Sequence, residues 1–172
     1  GLGDVYKRQI MGGELFQDQW IKQGFIDIYE DFINAIDSQT ESDIHFNFIT
    51  NLCFDDVTEV MYFLARNDLK FSISYDPAGR FSKSDLAKFT RNLKYFKDYI
   101  QMVSLVATKQ NMDKIVSGDK IFEELYHNYT CDFDHFLPSV ATSRILMPSE
   151  RELFEFYKVL AVSYTHLRAH ET

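Results

Sequence analysis

Apolar residues recur along most of the chain with either a helical or a strand period. In the helical stretches they lie three or four positions apart, as on one face of an amphipathic helix. The first such stretch contains Ile21, Phe25, Ile28, Phe32 and Ile36. In the strand stretches apolar residues alternate with polar ones or form short runs. The pattern predicts strands at residues 44–50, 71–75, 102–108 and 132–137.

Capping signals place helices between and after these strands. Asp56, Ser82 and Ser149 each stand three residues before an acidic residue, a spacing typical of helix N-termini. Another helical stretch precedes the last strand and is broken near Gly118. Strands and helices therefore alternate, which predicts an α/β fold of parallel βα units, either a barrel or a doubly wound sheet. Both architectures place their active sites at the carboxyl ends of the strands.

Length and composition limit the classes of protein that fit. The 172 residues are enough for one domain of ordinary size, and no apolar run approaches the roughly 20 residues of a membrane span. A net charge of -8 without a basic stripe argues against a nucleic-acid partner. The two cysteines, Cys53 and Cys131, are too few for a disulfide scaffold, which favours the reducing cytoplasm.

The two ends of the chain are related at the level of DNA. One DNA sequence can encode residues 4–9, and its reverse complement, read in another frame, can encode residues 162–166. A transposon sequencing adapter at both ends of an assembled metagenomic read would produce this relation. We therefore expect 1–9 and 162–172 to be adapter-derived and to pack poorly. The genuine segment would be 10–161, cut at both ends, and His166 and His170 would not form a metal site.

Polar residues adjoin the predicted strands, beginning with a glycine pair before the first helix. Gly12 and Gly13 would let the backbone approach a ligand closely, and the carboxylate of Glu14 beside them could bind an ammonium group. A tight turn with a solvated Glu14 is the alternative. The next strand ends in Thr50 and Asn51, which a simple turn would also explain.

The strand at 71–75 carries a row of polar residues. Ser72, Ser74 and Asp76 lie on one of its faces, and its apolar residues lie on the other. A parallel sheet that is buried on both faces must supply hydrogen-bond partners for such a row, and the lumen of a barrel would do so. We therefore expect the row to face a polar barrel interior. The apolar residues expected to pack beneath helices are Phe46, Phe48 and Ile73.

Four short segments, taken in order, resemble motifs of the radical SAM superfamily. Gly12-Gly13-Glu14 looks like its GGE motif, and Ile49-Thr50-Asn51 is similar to its "TNG" segment after the third strand. Ser72-Ile73-Ser74-Tyr75-Asp76, followed by Arg80, resembles the "SIDG" segment of the fourth strand. Val106-Ala107-Thr108, followed by Asn111, resembles the end of the fifth strand. Together the segments extend over nearly all of residues 10–161.

The resemblance implies the family's fold, cofactors and partners. The fold would be a fragment of a parallel (βα)6 partial TIM-type barrel. The chain would be part of an enzyme that reductively cleaves S-adenosylmethionine at a [4Fe–4S] cluster to start radical chemistry. Its partners would be an electron donor and an unidentified substrate, such as the peptides that some members modify. Neither a nucleic acid nor a membrane is expected as a partner.

The resemblance also implies which residues bind S-adenosylmethionine. The residues next to the methionyl ammonium would be Gly12, Gly13 and Glu14. The residues near the ribose and the carboxylate would be Ser74, Asp76 and Arg80, and the residue near the nucleoside would be Asn111. The segments also place Asn51 and Ser72 among the binding residues.

The chain departs from the family's pattern at several positions. The proline that usually follows GGE is Leu15 here, the glycine of "TNG" is Leu52, and Pro77 stands in place of the glycine of "SIDG". The family's C-x-x-x-C-x-x-C motif is absent, and Cys53 and Cys131 lack the spacing to replace it. We therefore expect this chain to bind no cluster and to produce no 5′-deoxyadenosine, and its full-length parent to do both.

Two other functions stay open. A (βα)-barrel hydrolase or aldolase could use Asp132, Asp134 or Glu14 as acid and base, although a solvated strand end would explain the two aspartates. A degenerate barrel that only binds a partner would explain the missing cluster motif. We interpret His45 and His135 as structural, and we assign no catalytic residue and no metal ligand.

Overall fold

The computed structural model describes residues 6–10, 14–39, 44–135 and 146–168. These residues form an α/β fold with five strands and seven helices. The strands are β1 (Tyr6–Ile10), β2 (Ile44–Thr50), β3 (Lys70–Tyr75), β4 (Ile100–Ala107) and β5 (Thr130–His135). The helices are α1 (Asp18–Lys22), α2 (Phe25–Asp37), α3 (Val57–Arg66), α4 (Lys83–Tyr95), α5 (Lys109–Val116), α6 (Lys120–Asn128) and α7 (Glu150–Arg168). No helix in these residues combines the length and the apolar character that a membrane span requires.

The strands lie in the sheet in the order of the sequence, β1-β2-β3-β4-β5. Strand β1 pairs with β2 in parallel, with Ile10 opposite Phe48. Strand β2 pairs with β3 in parallel, with Phe48 opposite Phe71. Helices stand between consecutive strands along the chain, so the predicted α/β fold with parallel βα units is confirmed.

The residues divide into two compact units. The first comprises Gly1–Tyr75 and Ser82–Val103, and the second comprises Asp76–Phe81 and Ser104–Thr172. Strand β4 begins in the first unit and ends in the second, because the division falls after Val103. Each unit has its own apolar core and its own cluster of polar side chains.

The core of the first unit is centred on Phe16. Its side chain is fully buried, and its ring centroid lies 6.0 to 6.4 Å from those of Phe48, Phe54, Phe63 and Phe71. These four rings come from β2, the loop after β2, α3 and β3. One side chain therefore joins the segment before α1 to two strands and a helix through aromatic packing.

One face of β2 packs beneath helices, as the sequence predicts. Phe48 contacts Phe63 of α3 with ring centroids 5.4 Å apart. Phe46 contacts Phe32 of α2 at 6.3 Å, and both strand residues are buried. Ile73 of β3 is completely buried as well. The three apolar residues expected in the core are therefore in it.

A polar side chain of β2 is hydrogen-bonded to a polar side chain of β3. The Asn47 amide donates to the Ser72 hydroxyl at 3.0 Å, and both side chains are at most 1% exposed. Ser74, the next residue of the row, is half-buried. The neighbouring strand thus supplies the hydrogen-bond partner that a buried Ser72 requires.

The second unit is built around α5, α7 and β5. Lys109, the first residue of α5, forms an ion pair with Glu152 of α7, and its backbone N–H donates to the carbonyl of Leu146 at 2.8 Å. Phe156 of α7 is completely buried and packs edge-on against Phe133 of β5, with centroids 5.4 Å apart. An ion pair therefore joins α5 to α7, and aromatic packing joins α7 to β5.

The prediction for the first helical stretch is wrong in two respects. The stretch forms two helices, because Gly24 between α1 and α2 adopts the left-handed conformation at φ +79°, which glycine tolerates best. The buried face of α2 carries Ile26 and Ile33, whereas Ile28 and Phe32 are 53% and 48% exposed. The helical phase that begins at Ile21 does not continue through the break at Gly24.

The other helix and strand predictions are confirmed within a few residues. The Asp56 side chain accepts from the backbone N–H of Glu59 at the start of α3, and Ser82 forms a reciprocal capping box with Asp85 at the start of α4. Gly118, at φ +95°, separates α5 from α6. The last strand begins two residues before its predicted start, and the predicted positions 136 and 137 lie outside the described residues.

The segments expected to be adapter-derived contribute backbone to two elements. Residues 6–9 lie in β1 and pair with β2, and residues 163–168 continue α7. The side chains of both stretches lie outside the described residues, as do residues 1–5 and 169–172. The expectation that these segments pack poorly stays a prediction.

Replacing Phe16 by alanine should destabilise the protein by about 3–5 kcal/mol, the usual cost of deleting a buried phenylalanine ring. The loss arises because the ring is fully buried among four other phenylalanines. Urea unfolding followed by circular dichroism measures the change in the free energy of unfolding.

The matched control is Phe154→Ala on α7, whose ring is 66% exposed and whose loss should change stability by less than about 0.5 kcal/mol. Equal effects of the two substitutions would contradict the central role of Phe16.

Candidate functional site

Three donors bind the Glu14 carboxylate at the carboxyl end of β2. Its Oε1 atom accepts from the Thr50 hydroxyl at 2.7 Å and from the Phe16 backbone N–H at 3.1 Å. Its Oε2 atom accepts from the Asn51 backbone N–H at 2.6 Å. A carboxylate has about four lone-pair sites, so Glu14, which is half-buried, can accept one further donor. Glu14 and the strand end that the sequence singled out are therefore in contact.

The surroundings of Glu14 disfavour its charged form. Burial raises the pKa of the carboxyl above its ordinary value of 4.5, and the hydrogen bonds from Thr50, Asn51 and Phe16 oppose that rise. Burial, and next the charge of Glu14, also raise the pKa of Tyr29. A carboxylate that has lost part of its hydration attracts a nearby cation more strongly than a solvated one. The site is therefore suited to a positively charged group.

Two side chains hold the segment that carries Glu14. Phe16 is locked in the core two residues later, and the Tyr29 hydroxyl of α2 donates to the Leu15 carbonyl at 3.0 Å. The rings of Phe16 and Tyr29 also meet edge-on at 6.2 Å. The backbone on the C-terminal side of Glu14 is thus fixed by apolar packing and by one hydrogen bond.

The turn after β2, which begins with the donors to Glu14, contains a residue in the left-handed conformation. Leu52 has φ +55°, a conformation that favours glycine, and it occupies the position of the glycine in "TNG". Its N–H donates to the Thr50 hydroxyl oxygen at 3.1 Å, and the Cys53 N–H donates to the Asn51 side-chain oxygen at 2.8 Å. The turn therefore keeps a glycine-like conformation although the residue is leucine.

A second polar cluster, in the second unit, joins Asp76 to Asn111. The Asn111 amide donates to Asp76 Oδ1 at 2.8 Å and to the Val106 carbonyl at 2.9 Å, and its oxygen accepts from the Ala78 N–H at 3.0 Å. Asn111 is completely buried. Two residues that sequence reasoning assigned to one site, 35 positions apart, are therefore hydrogen-bonded to each other.

The loop after β3 is closed around the Asp76 carboxylate. The N–H of Gly79 donates to Asp76 Oδ1 at 3.1 Å, and the N–H groups of Arg80 and Phe81 donate to the Asp76 carbonyl. A Cβ atom on Gly79 would lie 2.5 Å from Oδ1 and 2.8 Å from Oδ2 of Asp76. Gly79 is required here because of this close approach. Pro77 is accommodated because the loop uses no donor at that residue.

Arg80 reaches the same carboxylate from the solvent side. Its Nε atom lies 3.3 Å from Asp76 Oδ2, and its side chain is 73% exposed. Ion pairs this exposed contribute little to stability. Arg80 is therefore available to a ligand that carries negative charge.

The two cysteines do not fit the role of cluster ligands. Burial, followed by the negative charges of Asp85 and Glu14, raises the pKa of the Cys53 thiol to about 12. Burial raises the pKa of Cys131 to about 11. An iron–sulfur cluster is held by several cysteine thiolates gathered together, and the chain has only these two cysteines. Cys53 Sγ instead donates to the Asn51 carbonyl at 3.1 Å.

The remaining candidates form no site in the described residues. His45 and Asp132 are exposed, and no group of three or more His, Cys, Asp or Glu side chains in the described residues could hold a metal ion. Gly12 and Gly13 lie outside the described residues, as do the side chains of Asp134 and His135. The roles expected for these residues stay predictions.

Sequence reasoning missed three residues that support the Glu14 site. Phe16 and Tyr29 hold its segment, and Asn92 of α4 donates to the carbonyls of Leu52 and Phe54 in the turn after β2. A signal for Asn92 exists in the sequence. It lies three residues after Phe89 and four before Phe96, on the apolar face of the helix.

Comparison with known proteins adds no assignment to this geometry. No protein-family model, curated protein or solved structure matches the chain. The functional interpretation therefore depends on the contacts and electrostatics of the chain's own side chains.

Gly79→Ala should destabilise the protein by about 1–3 kcal/mol, as overpacked sites do. The new Cβ atom would force the Asp76 carboxylate away from its donors. In an Asp76→Ala background the obstruction is gone, and φ at Gly79 is not left-handed. There the same change should stabilise by about 0.4–1 kcal/mol, because alanine restricts the unfolded chain. Urea unfolding of the wild type, Gly79→Ala, Asp76→Ala and the double variant measures the change in the free energy of unfolding in each background. A loss of similar size in both backgrounds would contradict the expected reversal of sign.

The stability that Glu14 contributes should fall as pH rises. Because its pKa is raised in the folded protein, the unfolded state loses the proton first, near pH 4.5, which favours unfolding. Relative to Glu14→Gln, the wild-type free energy of unfolding should therefore decline from about pH 4.5 towards neutrality. Chemical unfolding at a series of pH values measures this difference.

Glu124→Gln on α6 is the control, since that side chain is exposed, and it should follow the wild-type curve. If the free energy of unfolding of the wild type instead rises with pH relative to that of Glu14→Gln, the pKa of Glu14 is lowered in the folded protein.

Proposed function

We propose that the chain belongs to a radical SAM enzyme and that Glu14 binds the methionyl ammonium group of S-adenosylmethionine. The observation that carries the proposal is the contact between Glu14, the last residue of the segment that resembles GGE, and the segment that resembles "TNG". Thr50 and Asn51 donate to the two oxygens of Glu14, from 36 and 37 residues along the chain. The donors fix the direction of the carboxylate, and its free acceptor capacity suits an ammonium group.

A second contact supports the same proposal. The segments that resemble "SIDG" and the end of the fifth strand meet through the hydrogen bond from Asn111 to Asp76. In this proposal Asp76, Arg80 and Ser74 bind the ribose and carboxylate of S-adenosylmethionine, and Asn111 lies towards its nucleoside. Asn111 also holds Asp76 in place, because its amide is completely buried and fully paired.

We also propose that the sheet belongs to a (βα)6 partial barrel. The strands follow one another in sequence order, whereas a doubly wound sheet reverses its strand order at a switch point. The buried pair of Asn47 and Ser72 is the second support, since a polar lumen is where a barrel would have such residues. Ser72 then supports the lumen wall, and the half-buried Ser74 is open to a ligand.

The described residues fit S-adenosylmethionine and do not fit the [4Fe–4S] cluster. Glu14 offers a partly dehydrated carboxylate to a cation. S-adenosylmethionine bound there would supply a 5′-deoxyadenosyl radical only on taking one electron from a reduced cluster, with methionine as the leaving group. The chain has only two cysteines, Cys53 and Cys131, which are too few to hold such a cluster. The electron donor, the substrate and the cytoplasmic location stay predictions.

One observation favours an acid–base enzyme as a second candidate. Burial raises the pKa of Glu14, and carboxyls with raised pKa values are typical of general acids and bases. Asp132, the other candidate, is exposed and has no such environment. In this second function Glu14 would hold a proton rather than an ammonium group.

Equilibrium dialysis of the chain against radiolabelled S-adenosylmethionine tests the first proposal. Glu14→Ala should raise the dissociation constant about 10- to 100-fold, the usual effect of losing a hydrogen bond to a charged group. Circular dichroism establishes that the variant is folded. The control is Glu124→Ala, an exposed glutamate of the second unit, which should bind as the wild type does.

No binding by the wild-type chain would overturn the proposal. Equal binding by the wild type and Glu14→Ala would show that Glu14 is not the ammonium site. S-adenosylhomocysteine, which keeps the ammonium group, should compete, and adenosine alone should compete poorly.

A further inference from the structure

Asn92 is a buried polar residue that contacts the turn beside Glu14. It lies in α4 and is completely buried. Its Nδ2 atom donates to the Leu52 carbonyl at 2.8 Å and to the Phe54 carbonyl at 2.7 Å. Its Oδ1 atom accepts from Arg91 Nε at 2.9 Å. One amide therefore fastens two carbonyls of the turn after β2 to a helix.

One of the two carbonyls that Asn92 holds belongs to the strained residue of the turn, and the other lies two residues later. Leu52 has φ +55°, a conformation that costs a non-glycine residue free energy and persists only where its surroundings hold it. Leu52 is also fully buried, so water is not at hand to replace Asn92 as the donor to its carbonyl. The amide of Asn92 therefore supports the left-handed conformation of Leu52.

The same turn determines how Glu14 is bound. Thr50 and Asn51, the two residues before Leu52, donate to the two oxygens of the carboxylate. The Leu52 N–H in turn donates to the Thr50 hydroxyl oxygen, while that hydroxyl donates its single proton to Glu14. A change in the conformation of Leu52 would move both donors.

We infer that Asn92 is a positioning residue that sets the orientation of the Glu14 carboxylate through the backbone of residues 50–54. The consequence for S-adenosylmethionine binding rests on the proposed function. The effect on Glu14 itself does not. Asn92 touches neither Glu14 nor, in the proposed site, the ligand, so its action is indirect.

The alternative is that Asn92 only fills the core and satisfies two carbonyls. Its replacement would then lower stability without changing how Glu14 titrates or binds. The two roles are distinguished by measurements on Glu14 and Asn51 in variants that remain folded.

The test uses Asn92→Leu and Asn92→Asp in the full chain. Both are close to asparagine in size, and the ionised aspartate and the leucine lack the amide donor. Carboxyl NMR follows the titration of Glu14, amide hydrogen exchange follows the Asn51 N–H, and equilibrium dialysis follows S-adenosylmethionine. In Asn92→Leu, which adds no charge, we expect the pKa of Glu14 to rise further, because the Thr50 and Asn51 hydrogen bonds that oppose burial are weakened. We expect the protection of Asn51 to fall, and the dissociation constant to rise, each about tenfold.

The matched control is Asn67→Leu. Asn67 is an asparagine of the same unit whose amide donates to the Phe63 carbonyl and to Glu30, away from the turn. It should lower stability and leave the Glu14 titration, the Asn51 exchange and ligand binding as in the wild type. An unchanged Glu14 titration in folded Asn92→Leu or Asn92→Asp would overturn the inference.

The wild-type protein alone provides a further measurement if both variants fail to fold. The side-chain amide protons of Asn92 and the Asn51 N–H should exchange with solvent at similarly reduced rates, because one turn holds both. Fast exchange of the Asn92 amide beside a protected Asn51 would overturn the inference. Absence of S-adenosylmethionine binding to the wild type would overturn the proposed function and leave the titration result unaffected.

Discussion

The hydrogen bonds of the Glu14 carboxylate are the constraint on which the candidate site depends. A carboxylate that loses hydration is costly unless donors replace the water, and Thr50, Asn51 and Phe16 supply three of them. The carboxylate also satisfies the donors, because two of them are backbone N–H groups that would otherwise lack a hydrogen-bond partner. The segment before α1 and the end of β2 therefore hold each other in place.

Buried asparagines also satisfy buried hydrogen-bonding groups elsewhere in both units. Asn47 pairs with Ser72, Asn92 holds two carbonyls, and Asn111 donates to Asp76 and Val106 while it accepts from Ala78. Each position requires a donor, and aspartate in its ionised form has none. An amide satisfies backbone and carboxylate partners together without bringing another charge into the core.

Much of the fold could be predicted from the sequence because hydrophobic period and capping residues act locally. The strand at 44–50 and the capping box of Ser82 with Asp85 follow directly from such signals. The face of α2 could not be predicted, since Gly24 breaks the helix and changes its phase. The site was predicted only in part. Glu14, Asp76 and Asn111 carry recognisable chemistry, but the role of Asn92 depends on a turn that no local pattern reveals.

The strand order has a consequence for how the chain assembles. Each strand lies beside the strand that precedes it in the sequence, so no strand has to wait for a partner that is made later. In the β2–β3 pair, Phe48 lies opposite Phe71, only 23 residues further along (71 minus 48). Short sequence separation lowers the entropy lost on closing the loop between partners. Neighbouring strands of the sheet can therefore pair in the order in which they are synthesised.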